Sequence, residues 1–458
     1  MLKKRQYEMD MTQGALLPKI IRFAVPLMLT GVLQLFYNAA DVVIVGRFAG
    51  STALAAVSST GALINLIVNV FMGLSLGASV LVGQSYGAGK YKDVNDVVHT
   101  TIGMALVCGA IVTVLGVCFG KPILAMMDTP ADVLELSSLY VIIYFSGSVF
   151  NLVFNFGAAI LRAVGDTRRP MYYLILSGLV NVILNLIFVV GFHMSVAGVA
   201  LATVISQVVS AVLVVICLMR THGAIHLDWR KLRICRDFAL KLIKIGLPAG
   251  LQGAIFSFSN VLIQSSVNSF GANAMAGNGA AANIEGFVYT AMNAFYTTAL
   301  TFSSQNLGAR KTERLGRIMW TCQACVFLFG FVLGMLVYSF RVPLLSLYCT
   351  EWEVVEMGMK RNQIMLTTYF IAGMMDVLVG ALRGMGNSFV PMIVSVLGVC
   401  AFRVLWIFTV FAAYRSLTVL YLSYPISWAI TGTAHLISYL VTKNRITRRI
   451  QAEDLQKA

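Results

Sequence analysis

Long apolar runs separated by short polar intervals set the pattern of this chain almost from end to end. Read with a window of about 19 residues, the length that crosses a hydrocarbon core as a helix, the runs resolve into twelve segments. They cover residues 18–45, 53–84, 95–119, 134–160, 171–192, 197–219, 239–269, 276–304, 317–340, 356–382, 391–413 and 417–441. Each predicts a helix, and the short connections predict antiparallel neighbours. The long exception is residues 220–238, a polar, basic linker at the midpoint of the chain, with THGAIHLDWRKLRICRD at its heart.

A midpoint linker invites a search for duplication, and the two halves do repeat. AILRAVGDTRRPM, ending at Met171, matches GALRGMGNSFVPM, ending at Met392, without a gap at a spacing of 221. Arg162 falls on Arg383, Gly165 on Gly386 and Pro170 on Pro391. Gln84, Gly87, Ala88 and Lys90 fall on Gln305, Gly308, Ala309 and Lys311, while Pro26, Gly31, Asn38 and Phe48 fall on Pro248, Gly253, Asn260 and Phe270 one residue further on. An even number of helices per half makes this a parallel repeat. The expected fold is therefore an all-α polytopic membrane protein of twelve transmembrane helices, in two six-helix lobes related by a pseudo-two-fold axis along the membrane normal. The divisions are 1–219 for the first lobe, 220–238 for a cytoplasmic linker, 239–442 for the second lobe and 443–458 for a cytoplasmic tail. In the repeated loops, an arginine followed by a glycine three residues on and a proline eight residues on suits a tight turn with a basic anchor.

Composition agrees with the pattern: 58% of residues are hydrophobic and 12% charged, with a mean hydropathy of +0.82. The first apolar run is too long for a cleavable signal and has no small-residue cleavage site, so it is expected to stay. The net charge of +15 changes meaning once the charges are located. Arg47, Lys121, Arg341, Lys360, Arg361 and Arg415 are placed on one side and Arg403 inside a span; the remaining Lys and Arg lie on the other side, which the positive-inside rule makes cytoplasmic, together with both termini. The basic excess then reports topology and anionic headgroups, and nucleic acid is not an expected partner. Cys322 and Cys325 form a CxxC within a span, with no second cysteine or histidine pair near it, and read as packing.

Polar residues inside the spans carry the candidate chemistry. An acid in a transmembrane helix costs about 2.5 to 3.5 kcal/mol on insertion scales, so Asp41 needs a reason to be there. Tyr37 and Gln34, four and seven residues earlier, share its helix face. Asn181 and Asn185 lie one turn apart in the fifth span, and Thr203 and Gln207 one turn apart in the sixth. Brought together, Asp41, Asn181, Asn185 and Thr203 would form an oxygen-lined site with one negative charge, suited to Na+ or to a proton on the acid. Interhelical hydrogen bonding is the structural alternative for the amides and the hydroxyl. The second half lacks this set, since Asn185 aligns with Trp406 and Asp41 with Ile263. It has instead Glu285, Asp376 and Arg403, with Arg403 expected to pair with Asp376 or Glu285. No nucleotide-binding GxxxxGKS motif, intramembrane metal cluster or Ser/His/Asp set supports an enzyme.

Taken together, NAADVVIVGRFAG in the first span, GQSYGAGK after the second, LRAVGDTRRPM after the fourth, NxxxN in the fifth and the repeated LRGMGN resemble the multidrug and toxic compound extrusion (MATE) transporters. The resemblance spans essentially all twelve segments. It implies two six-helix lobes forming a V, and an antiporter that exports organic cations, drugs or metabolites in exchange for H+ or Na+ by alternating access. No cofactor beyond the coupling ion is implied. In DinF-type relatives the cation site of the first lobe falls on Asp41, Asn181, Asn185 and Thr203, with Gln34 and Tyr37 alongside. Some carry Asp where Asn185 stands, which leaves the choice of ion open. The seventh span, LQGAIFSFSN, lacks the acid of NorM-type relatives, and their tenth-span acid falls near Ala372, one turn before Asp376, so the chain sits closer to the DinF-type branch. Gln34, Tyr37, Glu285, Asp376 and Arg403 are the expected lining of a substrate cleft. A monomer in the plasma membrane, with small organic cations as cargo and lipid around it, completes the expectation. The alternative from the same superfamily is a flippase of lipid-linked precursors.

Overall fold

Each apolar run becomes helix in the computed structural model of the chain, which describes residues 7–126, 130–348 and 351–456. The first half contains α1 (Leu16–Phe48), α2 (Ser51–Gly87), α3 (Tyr91–Met126), α4 (Ala131–Ser146), α5 (Ser148–Ala163), α6 (Arg168–Asn185) and α7 (Ser195–Arg220). The second contains α8 (Arg236–Asn268), α9 (Ala272–Gly308), α10 (Thr312–Ser339), α11 (Arg341–Ser346), α12 (Trp352–Gly384), α13 (Phe389–Ser395), α14 (Phe402–Trp406) and α15 (Leu417–Leu455). Among the described residues nine helices are long and apolar enough to cross a bilayer, and the bent pair α4–α5 makes a tenth. The two further long helices, α9 and α15, are more polar; α9 carries Asn273, Asn278, Asn283, Glu285 and Asn293.

Three segments depart from simple rods. The run expected over 134–160 bends by 47° between α4 and α5. Gly147 stands at the break, where a Cβ would lie 2.7 Å from Val204 Cγ2, so the bend carries the chain against α7 where only glycine fits. The run over 171–192 ends in a π-helical turn, Leu186–Gly191, and that over 391–413 contains two, Val396–Ala401 and Ile407–Phe411. At the carboxyl end α15 continues through Lys443 to Leu455, so the described part of 443–458 extends the last helix.

The duplication is visible in the backbone itself. Left-handed φ values recur 221 residues apart, at Gly50 and Gly271 (90° and 96°), Gly89 and Arg310 (69° and 57°), and Gly165 and Gly386 (95° and 84°). At Gly165 and Gly386 the preceding helices close in the same way: the glycine N–H donates to the arginine carbonyl (2.9 and 2.8 Å), and the next N–H donates to the carbonyl of Leu161 or Leu382 (3.0 and 3.1 Å). This is the Schellman closure that a left-handed residue permits. The repeated arginine has a structural anchor in the second half, where Arg383 donates to Tyr296 Oη at 2.7 Å and Gln252 Oε1 at 2.8 Å.

The chain divides into two compact units, one with the described residues up to Asp10 and Leu29–Gly250, the other with Met11–Met28 and Leu251 onward. Both boundaries cut a helix near its proline, α1 after Pro26 and α8 after Pro248. In the first unit Ile44, Val45, Ala53, Tyr140, Val189 and Val199 build the core that carries the C-terminal part of α1. The linker is docked rather than loose. Asn95 Nδ2 donates to His226 O at 2.7 Å, Arg233 pairs with Asp96 at 2.7 Å, and the Arg230 N–H holds the half-exposed Asp228 carboxyl below the usual carboxylate range. In the second unit Met365, Met375, Val399, Phe411, Tyr421 and Trp428 pack as one core.

Candidate functional site

The polar residues of the first half converge. Asn185 Nδ2 donates to Asp41 Oδ1 at 2.5 Å and reaches Asn181 Oδ1 at 3.3 Å. Asn181 Nδ2 lies 3.5 Å from Thr203 Oγ1, whose hydroxyl donates to Val199 O at 2.9 Å. Three helices thus supply one connected chain: Asp41 from α1, the two asparagines from successive turns of α6, and Thr203 from α7. Asn181 and Asn185 are buried, at 5% and 0% exposure, and Asp41 is half-buried. The Asn185 Oδ1 atom is buried with no hydrogen-bond partner among the described residues. In such surroundings an unpaired acceptor is costly. One carboxylate, two amide oxygens and a hydroxyl are a hard, singly charged donor set that fits a proton or an alkali cation.

The flanking residues divide. Tyr37 lies against α6, donating to Ile175 O at 3.2 Å, and its ring occupies the space where Gly178 lacks a side chain. Gln34 is exposed and makes no hydrogen bond to the four residues, and Gln207 sits apart, beside Tyr144 and Gly147. One participant was missed in the sequence. Tyr140 of α4, 7% exposed, lies within electrostatic reach of Asp41 and stacks on Tyr144 with ring centroids 6.1 Å apart. Two tyrosines one turn apart in the fourth apolar run were the available signal.

The second half is wired differently from the expected Arg403 pairing. Glu285 is held by Arg361: Nη2 to Oε2 is 2.7 Å, and Nε lies 3.0 and 3.2 Å from the two carboxylate oxygens. Arg361 Nη1 also donates to Asn278 Oδ1 at 2.8 Å, which accepts from Tyr421 Oη at 3.1 Å. Arg361 was placed with the loop charges on one side; it is instead 8% exposed inside α12, because the helix starts at Trp352 and carries the side chain inward to a partner 76 residues away. Arg403 makes no ion pair among the described residues. Its Nε donates to Ser427 Oγ at 3.0 Å and its guanidinium lies 4.0 Å from the Tyr424 ring centroid. Aromatic faces and a hydroxyl hold it in place of a carboxylate. Asp376 is hydrogen-bonded by Tyr289. Arg403 and Asp376 line one cavity of about 420 Å³ in this unit, together with Tyr289, Tyr369 and Trp428. Cys322 and Cys325 are buried and free, and no group of three His, Cys, Asp or Glu capable of holding a metal occurs among the described residues.

Membrane-length helices, an internal duplication and polar clusters inside the spans define a multi-pass membrane transporter. The MatE family model matches residues 26–187 and again residues 248–409, once in each half, and the chain belongs to this family. It is 29% identical over 440 residues to the probable multidrug resistance protein YoeA of Bacillus subtilis, covering 94% of this chain and 95% of that one. Over 324 residues it is 25% identical to a protein of Shewanella oneidensis named as an FAD transporter, covering 70% of this chain and 72% of the other. Among solved structures, an outward-facing multidrug resistance MATE transporter superposes with a TM-score of 0.89 at 20% identity, covering 96% of this chain and 98% of that one. The fold is accordingly the twelve-helix, two-lobe fold of MATE transporters.

Proposed function

We propose that the protein is a secondary antiporter that exports organic cations, drugs or metabolites across the cell membrane in exchange for H+ or Na+, with Asp41 as the coupling residue. The observation that carries this reading is the Asn185 amide on Asp41 at 2.5 Å, with the other end of the same amide lacking a partner. As a donor, Asn185 stabilises the ionised acid. Turned about its side-chain axis, the same amide offers oxygen to a cation beside the carboxylate or accepts from the protonated acid. Cation or proton therefore changes the hydrogen bonds between α1 and α6, which is the differential interaction that coupling requires. Pro26 and Gly31 give α1 a place to bend in response.

Cytoplasmic termini, supported by the charge distribution, and the DinF-type branch, supported by the donor set on Asp41, are part of the same proposal, and so is a monomeric state. The multidrug name of the Bacillus subtilis relative favours efflux over a lipid-precursor flippase. The test is efflux of ethidium from proteoliposomes under imposed ΔpH or ΔpNa. Asp41→Asn is expected to abolish ion-driven efflux while the protein still folds and binds cargo. A wild-type rate with unchanged dependence on both gradients would move the coupling site to Glu285 or Asp376.

A further inference from the structure

Export of cations leaves Arg403 unused. It sits in α14, a five-residue segment between two π-helical turns. The later turn, Ile407–Phe411, has a counterpart 221 residues earlier at Leu186–Gly191. The earlier one, Val396–Ala401, has none, because residues 175–180 are regular α-helix. A π turn holds an extra residue and re-aims the side chains beyond it, and Arg403 lies just beyond this unmatched turn. Its side chain is 5% exposed and lines the cavity of about 420 Å³, yet its two terminal nitrogens have no hydrogen bond or ion pair with any described residue. The Nε–Ser427 bond and the rings of Tyr424 and Trp428, at 4.0 and 5.7 Å, fix the plane of the guanidinium and leave its outer edge to the cavity.

Charge points the same way. The interior of this unit holds Glu285 and Asp376 against Arg361, Arg383 and Arg403 among the described residues. Arg361 takes Glu285, and the cation that acts on Asp376 is Arg383. One guanidinium is in excess, and an uncompensated charge in such a place is costly. The surrounding rings form a continuous wall, with Tyr369 centred 5.4 Å from Trp428 and 6.1 Å from Tyr289. A guanidinium edge matches a carboxylate or phosphate through two parallel hydrogen bonds, and the rings offer stacking to a flat molecule.

We propose that Arg403 receives the carboxylate or phosphate of an aromatic cargo, so that the second unit binds acidic aromatic compounds in addition to cations. This rests on the transport reading above and names a substrate class for it. The full-length protein, in detergent and in phosphatidylcholine liposomes with and without phosphatidylglycerol, is titrated with fluorescein, a planar anion, and ethidium, a planar cation, by fluorescence anisotropy. Wild type is expected to bind both, and Arg403→Gln to raise the ratio of the fluorescein to the ethidium Kd by about tenfold, the loss of one charge-assisted pair. Arg403→Lys, which keeps the charge without the fork, should recover part of it, and decides the matter if the glutamine variant does not elute as a folded protein. No fluorescein binding by wild type, or an unchanged ratio in both variants, overturns the proposal. So does displacement of fluorescein by phosphatidylglycerol, which would assign the site to lipid phosphate. Gradient-driven ethidium efflux in the same liposomes is read separately: its absence in wild type sinks the antiport reading, while Arg403-dependent fluorescein binding would still stand.

Discussion

Asn185 contacts Asp41 through its nitrogen while its oxygen, a little over 2 Å away on the same amide by ordinary covalent geometry, faces no donor among the described residues. Removing this amide should therefore affect the acid more than removing Asn181, which reaches Asp41 only through Asn185. Asn185→Ala is expected to weaken the dependence of efflux on ΔpH and ΔpNa strongly, and Asn181→Ala to weaken it less, neither as completely as Asp41→Asn. Equal effects from the two alanine variants would contradict the connectivity described.

Glu285 and Arg361 predict a stability pattern rather than a transport one. Breaking a buried pair from one side leaves an uncompensated charge, at about 3 to 5 kcal/mol. Glu285→Leu and Arg361→Met should each lower the melting temperature sharply, and the double variant should recover most of the loss. A double variant as unstable as the sum of the singles would mean that the Asn278 and Tyr421 contacts dominate.

Gly178 sets the position of Tyr37. A Cβ there would lie 2.0 Å from the Tyr37 ring, so Gly178→Ala must displace the tyrosine or separate α1 from α6. Ion-driven efflux is expected to fall several-fold. Combined with Tyr37→Ala, the glycine variant should add little, because residues in contact couple; full additivity in the double variant would refute the contact.

The duplicated turns give a paired test. Gly386→Ala places a Cβ at φ 84° and should cost about 1 kcal/mol or more. Arg310→Gly removes a side chain from φ 57° and gives up two ion pairs that are partly exposed, to Glu453 and Asp454. Since exposed pairs contribute little to stability, Arg310→Gly is expected to leave thermal stability equal or slightly raised. A marked fall would show that α15 depends on those pairs.

Much of this was legible beforehand, for reasons that differ by residue. The helices follow from apolar run length, and the turns at Gly165 and Gly386 from a repeat that places glycine where a left-handed backbone needs it. Asp41, Asn181, Asn185 and Thr203 could be grouped because a lone acid in an apolar span demands polar neighbours and helical spacing puts the amides on one face. Arg361 could not be placed the same way. It lies in the polar stretch MKRNQ near the start of the 356–382 run, which reads as the loop-facing end of a helix, and only the fold reveals Glu285 from α9 beside it. For Arg403 the sequence offers only charge as a guide and so points to an acid; the rings that hold it come from α15 and look like ordinary packing residues in one dimension.

The π turn after Asn185 makes helix length a coding variable. Such a turn amounts to one residue inserted into an α-helix, and each residue advances an α-helix by about 100°. Deleting a single residue between Leu186 and Gly191 would let the segment rewind as α-helix. Asn181 and Asn185 would stay where they are and the residues beyond would keep their orientation, because the residue removed is the one the π turn absorbs; a further insertion, with no second π turn to absorb it, would instead rotate everything from there to the start of α7 by roughly a quarter turn. An insertion at this point, rather than a deletion, is the change that would turn the segment entering α7 relative to Asp41 while leaving all four site residues in the sequence.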